Sequence, residues 1–372
     1  MRDSQKAKTI FVIITTKCNL RCTYCYERGK AKATASVATM KERLAAELAD
    51  ANFDGFDVVF HGGEPFSAFE VLKELSEWVW KEYPNRDIRC LITTNGTLLT
   101  DESRRWLEEN HNKLLVTLSL DGGRETHNKN RCNSFDLIDF AFFRRHWPES
   151  RVKMTIGPES LGKMFDDIQE IMALGFRVNP TLAMEVDWNM EEAPDVFSRE
   201  LEKLVQYYID HPEMEPCPML SLTPALLAYP ERIPHNKACG AGTNVVAYDV
   251  AGNKYPCHSF ISDFAIPYNA QEEERLFCRL HSEDGLSLSP KCKDCLIFPH
   301  CEPCYGMNQS RRGDMGSFDP AVCVFNKIKV KAAASMYGRM LLDGRGYYPL
   351  RNLDEQQKHD VIQGIMNVQN LL

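Results

Sequence analysis

The sequence predicts an α/β fold built on a parallel sheet or partial barrel, and two regularities indicate it. Six short runs rich in β-branched residues alternate with stretches whose apolar residues recur at a spacing of three and four. Strand then helix repeats about six times between residues 9 and 185, which implies parallel strands joined by right-handed crossovers. In such a fold the functional groups gather at the carboxyl ends of the strands.

The predicted strands are, in order, "TIFVIITT", "DVVFHGGEP", "RCLITTNG", "LLVTLSLDG", "RVKMTIGP" and "RVNPTLAM". Helical patterns between them include "MKERLAAELADA", "AFEVLKELSEWVWKEY" and "MFDDIQEIMALG". Polar or glycine residues follow the first four strands: Cys18, Cys22 and Cys25, then Gly62, Gly63 and Glu64, then Asn95 and Gly96, then Ser119, Asp121 and Gly122. Clusters that converge on one edge of a sheet predict a site there.

Four segments are predicted along the chain. The barrel is expected over 1–211, and a proline-rich linker or bridge over 212–238. Residues 239–325 are dense in cysteine and include a β-hairpin with Gly252 at its turn. A helical segment is expected over 326–372, with "NKIKVKAAASMYGRML" as its clear helix and a weakly patterned tail after 343.

Composition excludes several classes of function. A net charge of -8 on 372 residues argues against a broad electrostatic contact with nucleic acid. We identify no signal peptide and no apolar segment of the roughly 18 residues needed to span a bilayer, so we expect no membrane partner and a cytoplasmic location. In that reducing compartment, 14 cysteines favour metal ligation over disulfides.

The first cysteine cluster supports two interpretations. Spacings of four and three let one loop offer thiolates to three corners of an iron–sulfur cubane, which leaves one iron open to a chelating amino acid. A zinc knuckle would need a distant fourth ligand and would make the chain a zinc-binding interaction protein. The position at a strand end and the neighbouring "GGEP" favour the cubane.

Together, "CNLRCTYC", "GGEP", "TTNGTLL" and "LSLDGGRETHNKNR" resemble the radical S-adenosylmethionine (SAM) superfamily over roughly residues 9–190. The resemblance implies that Cys18, Cys22 and Cys25 hold a [4Fe-4S] cluster whose open iron binds SAM. It also implies a set of SAM contacts, with Tyr24 beside the adenine, Gly62, Gly63 and Glu64 at the amine, Ser119 and Arg131 facing the carboxylate or ribose, and Asn95 nearby. An electron from a flavodoxin- or ferredoxin-type donor would then give a 5′-deoxyadenosyl radical that takes hydrogen from an unactivated C–H bond.

The downstream cysteines resemble the SPASM extension of that superfamily, which carries two auxiliary [4Fe-4S] clusters. By this pattern Cys239, Cys257 and Cys304 serve the first, and Cys292, Cys295, Cys301 and Cys323 serve the second. Only two residues separate Cys301 from Cys304, where the family usually has three. Cys217, Cys278 or a substrate thiolate could complete the first auxiliary cluster, or its iron could stay open.

A zinc ribbon over 292–304 is the alternative to the second auxiliary cluster. Cys90 is interpreted as a buried core thiol, and a buried position is also the plain interpretation of Cys132.

SPASM enzymes mostly modify peptides, and the resemblance leaves two reactions open. One is maturation of ribosomally made peptides through thioether or carbon–carbon crosslinks; the other is formylglycine formation by anaerobic sulfatase-maturing enzymes. In the sulfatase branch an aspartate follows the second SPASM cysteine, whereas here His258 does, and "CGAGTNVV" lacks that branch's cysteine pair. We therefore favour peptide maturation, and His258 is a candidate base that would replace the aspartate if the reaction were formylglycine formation. Because the first strand begins by about residue 9, recognition of a leader would need a separate protein or another surface, or there is no leader.

Overall fold

The computed structural model describes residues 7–27, 31–221, 239–261, 270–281, 292, 295–301, 303–351 and 353–369. Six strands follow one another in the predicted order: β1 Ala7–Thr15, β2 Gly55–Gly62, β3 Asp87–Thr94, β4 Leu114–Leu118, β5 Arg151–Ile156 and β6 Arg177–Leu182. Helices lie between and after them: α1 Val37–Leu48, α2 Phe69–Glu82, α3 Asp101–Asn110, α4 Arg124–Asn130, α5 Phe140–His146, α6 Met164–Ala173 and α7 Ala193–Asp210.

Neighbouring barrel strands pair in parallel, from β1 to β4 and again from β5 to β6. A parallel bridge between Ser119 and Lys153 connects the end of β4 to β5. The predicted parallel partial barrel is confirmed.

Successive side chains along each strand alternate between the side of the sheet that faces the helices and the side that faces the inside of the barrel. In β1, Ile10, Val12 and Ile14 are fully buried and share one core with Leu44 of α1 and Leu72 of α2. Phe11 lies between them in sequence and therefore points to the other side of the sheet, toward the inside of the barrel. The outer side of the sheet is thus covered by helices, as parallel sheets require.

A hairpin from the cysteine-dense region joins the barrel sheet. Strands β7 Val245–Tyr248 and β8 Lys254–Tyr255 are antiparallel, and Gly252 has a φ of +86° in the turn between them. Strand β7 pairs in parallel with β1, so the sheet order is β4-β3-β2-β1-β7-β8. The hairpin therefore extends the barrel sheet beyond β1, and the segment that carries Cys257 follows directly after β8.

A buried polar cluster fastens this hairpin to the barrel. The Glu47 carboxylate lies 2.6 Å from the Lys8 ammonium and 2.7 Å from that of Lys254. The Tyr248 hydroxyl donates to Glu47 at 2.5 Å, and Lys8 also lies 2.9 Å from Asp50. Glu47 and Lys8 are 4% and 7% exposed, so neither charge can be left unpaired without a large cost.

We expect Glu47→Ala to lower the free energy of unfolding by about 3 kcal/mol, because Lys8 and Lys254 lose their shared carboxylate. Burial acts to raise the pKa of Glu47, but hydrogen bonds from Lys254, Lys8 and Tyr248 outweigh it and hold the pKa below its usual value. Stability from this group is therefore present above the unfolded pKa of about 4.3 and is lost as pH falls through the lower folded pKa. Urea unfolding between neutral and acidic pH checks this. If the free energy of unfolding of Glu47→Gln fell by as much as that of the wild-type protein between neutral and acidic pH, this explanation would be contradicted.

Four further helices follow in the described part of the chain: α8 Ala270–His281, α9 Tyr305–Arg312, α10 Pro320–Asp343 and α11 Glu355–Gln369. Phe325 of α10 packs edge-on against Trp188 and Phe197, which fixes α10 on the barrel's last helix, α7. The boundary predicted at 325 falls inside α10. Most of the predicted linker, residues 222–238, lies outside the described residues. None of the described helices combines the length and the apolar character that crossing a bilayer requires.

Candidate functional site

The first cysteine cluster lies on the loop that follows β1. Cys18, Cys22 and Cys25 are each half-buried, and the charges of Cys25 and Cys18 act on the Cys22 thiol. The Cys25 amide donates to the Cys22 carbonyl at 3.2 Å, and the Leu20 amide donates to the Cys18 sulfur at 3.4 Å. The structure therefore brings the three predicted ligands together on one tight loop.

These thiols are hard to ionise without a metal. Burial raises the pKa of Cys22 to about 11, although the nearby Arg131 guanidinium opposes the shift. Burial also raises the pKa of Cys18. Because a metal-bound sulfur is a thiolate, a metal centre would have to offset this burial.

Glycines at the end of β2 let the cysteine loop pass at close range. The Gly63 amide donates to the Thr15 carbonyl at 2.9 Å, and the Glu64 amide donates to the Lys17 carbonyl at 2.8 Å. A β-carbon on Gly63 would lie 2.2 Å from the Lys17 oxygen, and one on Gly62 would lie 1.9 Å from the Thr15 oxygen. The backbone that lies close to these glycines is thus that of the cysteine loop. A role for the two glycines at the SAM amine stays a prediction.

We expect Gly63→Ala to displace the cysteine loop, since the new β-carbon meets backbone rather than a flexible side chain. The expected result is loss of the iron that this loop would hold, about four atoms per chain, measured after anaerobic reconstitution. Gly346→Ala is the matched control, because nothing lies within 4 Å of its β-carbon. Equal iron contents in the two variants would show that close approach does not matter here.

Glu64 is a buried carboxylate that joins β2 to the end of β3. One oxygen accepts from the Thr94 hydroxyl at 2.7 Å and from the Phe66 amide at 3.1 Å, and the other accepts from the Asn95 amide at 2.7 Å. Burial raises the pKa of Glu64, and these hydrogen bonds oppose that rise. Its predicted contact with the SAM amine stays a prediction, and any such contact would use the acceptor capacity left on the second oxygen.

Asn95 connects the end of β3 to the cysteine loop. Its side-chain amide donates to the Asn19 side chain at 3.0 Å, and Asn19 donates in turn to the Thr97 hydroxyl at 2.8 Å. Ser119 is buried one strand farther along, and its backbone amide donates to the Thr94 carbonyl at 2.8 Å. The predicted residues of strands three and four therefore lie on the same edge as the cysteines, and their SAM contacts stay predictions.

Asp121 organises the remaining predicted residues, and sequence reasoning placed it at a strand end without assigning it a role. The Tyr24 hydroxyl donates to its carboxylate, and the Arg131 Nε lies 2.9 Å from the same oxygen. The Thr155 amide donates to the other oxygen at 3.0 Å, and the Arg131 guanidinium lies 5.6 Å from the centre of the Tyr24 ring. Asp121 is fully buried and Arg131 is 7% exposed. The signal for Asp121 was present in "SLDG", where an acidic residue ends a buried strand.

The downstream cysteines fall into two groups. The charges of Cys304 and Cys239 act on Cys257, whose pKa is raised to about 12 by burial and then by these neighbours. The charges of Cys323, Cys292 and Cys295 act on Cys301, whose pKa burial raises to about 11. Each group contains only cysteines of one of the two sets that the resemblance implies, and their role as cluster ligands stays a prediction. Across the described ranges, no three histidine, cysteine, aspartate or glutamate side chains have the arrangement that a single metal ion would need.

The remaining cysteines differ in their surroundings. Cys90 is buried in the core, as predicted. Cys217 is also buried there, with its amide bonded to the Tyr208 hydroxyl at 3.0 Å. Cys278 is exposed on α8. The buried interpretation is wrong for Cys132, which is exposed. Cys132 follows the end of α4 with a φ of +57°, and its sulfur accepts a hydrogen bond from the Arg21 amide of the cysteine loop at 3.2 Å.

His258 lies at the inner side of the barrel sheet. Its ring is 4.3 Å from that of Phe11 and 5.0 Å from that of His61, measured between centroids. These two partners belong to β1 and β2, and His61 was not singled out from sequence. The Cys257–His258 segment therefore reaches the inside of the barrel, and the role of His258 as a base stays a prediction.

A cavity of about 340 Å³ separates the end of β6 from α9 and α10. This volume lies within the range of roughly 300–1,000 Å³ typical of ligand pockets. Its wall is mostly apolar and includes Trp188, Met307, Phe318 and Phe325. Cys304 and Lys153 also line it, so the cavity borders both the first downstream cysteine group and the strand beside Ser119.

The chain is similar to one protein family and to several proteins of known function. Residues 12–139 match the family model of the radical SAM superfamily. The cysteine-type anaerobic sulfatase-maturating enzyme of Clostridium perfringens is 34% identical over 138 residues, which cover 34% of this chain and only 36% of that enzyme's length. The subtilosin biosynthesis protein AlbA of Bacillus subtilis is 24% identical over 331 residues, covering 80% of this chain and 67% of AlbA.

A solved structure shares the fold. The structure of hexahistidine-tagged anSMEcpe with bound AdoMet aligns with a TM-score of 0.68 at 18% identity, and the alignment covers 95% of this chain and 98% of that one. Residues 12–139 thus match the radical SAM superfamily, while the likeness to the solved structure extends the shared fold to 95% of the chain.

Proposed function

We propose that the chain is a radical SAM enzyme that modifies a peptide after translation. The observation that carries this proposal is the loop after β1, which brings three cysteines together and whose backbone packs against the end of β2. The half-buried Tyr24 of this loop bonds to the buried Asp121, which also pairs with the buried Arg131. The match of residues 12–139 to the superfamily supports SAM and one [4Fe-4S] cluster as its cofactors. The donor set fits that group, because three thiolates on one loop leave a fourth coordination position open.

At the carboxyl ends of β1 to β4, different residues would bind the cluster and SAM. Cys18, Cys22 and Cys25 would hold the cluster, and SAM, when bound there and supplied with one electron, would provide the chemistry that removes a hydrogen atom from an unactivated C–H bond. Arg131 places a buried positive charge near the cysteines, suited to a carboxylate, while Asp121 holds that guanidinium and the Tyr24 ring in position. Glu64, Asn95 and Ser119 would complete the SAM contacts at the ends of β2 to β4.

Two auxiliary [4Fe-4S] clusters would complete a set of three. Cys239, Cys257 and Cys304 would hold one, and Cys292, Cys295, Cys301 and Cys323 the other, in agreement with their mutual electrostatic effects. The burial of Cys217 beside Tyr208 and the exposure of Cys278 do not favour either as the missing ligand of the first auxiliary cluster. We therefore favour an open or substrate-completed iron at that position.

The substrate would be a peptide bound at the cavity beside Cys304. The cavity has a mostly apolar wall, and it lies between the barrel strands and the downstream cysteines. The similarity to a bacteriocin biosynthesis protein over 80% of this chain favours a crosslinking reaction, such as thioether or carbon–carbon bond formation. A flavodoxin- or ferredoxin-type donor would supply the electron, and a separate protein could present the precursor's leader.

The alternative is formylglycine formation, favoured by the matches to anaerobic sulfatase-maturating enzymes and by a histidine that reaches the inside of the barrel. A synthetic cysteine peptide of the sulfatase type, SAM and dithionite separate the two reactions. We expect SAM turnover without a hydrazide-reactive aldehyde, and we expect His258→Ala to leave that turnover unchanged. An aldehyde that disappears in His258→Ala would support the sulfatase branch instead.

The non-enzyme alternative is a zinc-binding interaction protein. Protein purified without oxygen should be brown and contain iron as its main metal if the enzyme proposal is correct. Zinc as the dominant metal, with no SAM turnover after reconstitution, would favour the zinc-binding alternative.

A further inference from the structure

Asn326 on α10 contacts the second downstream cysteine group directly. Its side-chain amide nitrogen donates to the Cys301 sulfur at 3.3 Å. The residue is 4% exposed, so water competes little for this hydrogen bond. Asn326 also follows Cys323 by three residues on the same helix, which places both side chains on one face of α10.

The same side chain lines the cavity that we assign to the substrate. Asn326 and Cys304 both belong to its wall. One amide therefore lies between the cavity and a sulfur of the other cysteine group, and a change at this amide acts on that sulfur without removing a ligand.

A hydrogen bond to a ligating sulfur has a defined electrical effect. An N–H donor stabilises negative charge on the sulfur, and a cluster carries more negative charge after it accepts an electron. The donor therefore favours the reduced state and raises the reduction potential. Hydrogen bonds to charged groups are stronger than those between neutral groups, so even part of this energy, if it separates the two redox states, changes the redox equilibrium about tenfold.

We propose that Asn326 is a positioning residue that raises the reduction potential of the auxiliary cluster held by Cys292, Cys295, Cys301 and Cys323. This inference rests on the proposed function, because it requires that cluster to be present. It assigns to α10 a role in electron transfer beside the substrate cavity as well as a role in packing on α7.

The test uses the full-length chain with Cys18, Cys22 and Cys25 replaced by alanine, so that only the auxiliary clusters remain. Redox titration followed by electron paramagnetic resonance is compared with and without Asn326→Leu, which keeps the side-chain size but removes the donor. We expect the potential of one auxiliary cluster to fall by about 59 mV, a tenfold change in its one-electron equilibrium, and the potential of the other to stay the same. Asn308→Leu is the matched control, since Asn308 is equally buried and lines the same cavity but donates to the Met315 carbonyl at 3.0 Å.

An unchanged potential in Asn326→Leu, or an equal fall in Asn308→Leu, would overturn the inference while leaving the proposed function standing. If Asn326→Leu fails to retain iron, Asn326→Asp decides, because it keeps the shape and places negative charge at Cys301. A lower potential in that variant supports the inference, and an equal or higher one overturns it. Loss of the clusters in both variants would overturn it too, since Asn326 would then serve folding only. Absence of auxiliary iron in the parent protein would instead contradict the three-cluster proposal.

Discussion

Cys18→Ala is expected to abolish SAM cleavage and to lower the iron content from about twelve to about eight atoms per chain, because one of the three proposed four-iron clusters would lose a ligand. The loop offers only three thiols to its cluster, so no spare cysteine of that set can replace the missing one. Iron analysis and quantification of 5′-deoxyadenosine after anaerobic reconstitution measure both effects.

The matched control is Cys90→Ala, which removes a thiol of β3 that is fully buried in the core. This variant should keep both its iron and its SAM cleavage. Retention of SAM cleavage in Cys18→Ala, or an equal loss of iron in Cys90→Ala, would contradict the assignment of the loop.

Asp121→Ala should cause the largest loss of stability of any single substitution at this edge. It leaves the buried Arg131 guanidinium without its carboxylate and removes the acceptor of the Tyr24 hydroxyl. Breaking a buried pair in this way costs about 3–5 kcal/mol, and we expect thermal unfolding at a clearly lower temperature together with weaker iron retention. Circular dichroism during heating measures the first effect.

Glu125→Ala provides the comparison for Asp121→Ala. The Glu125 carboxylate lies 2.7 Å from the Lys163 ammonium, but its side chain is 84% exposed, so water screens the pair. This variant should unfold at nearly the wild-type temperature. If Asp121→Ala were as stable as Glu125→Ala, the buried network would not be what holds Tyr24 and Arg131.

The barrel could be predicted from sequence because its information is local. Each strand is a short β-rich run, the helices α1, α2 and α6 have apolar residues at a spacing of three and four, and the cysteines follow a strand end. The same holds for the hairpin at Gly252. The final helix, Glu355–Gln369, is less evident because its buried apolar residues, Val361, Ile365 and Val368, are few among polar ones.

Long-range features could not be predicted in the same way. The pairing of β7 with β1 joins residues such as Thr9 and Val245, and nothing in either stretch specifies its partner. The bonds of Glu64 to Thr94 and Asn95 depend on how β2 and β3 align. Asp121 was visible at a strand end, but its bonds to Tyr24 and Arg131 require the folded loop.

The central claim is that Cys18, Cys22 and Cys25 hold a cluster whose open iron binds SAM. Electron paramagnetic resonance of the reduced full-length protein, recorded with and without SAM, tests it most directly. We expect SAM to change the spectrum of one cluster in the wild-type protein and to change nothing in Cys18→Ala. A wild-type spectrum that is identical with and without SAM, in protein that retains its iron, would contradict the claim.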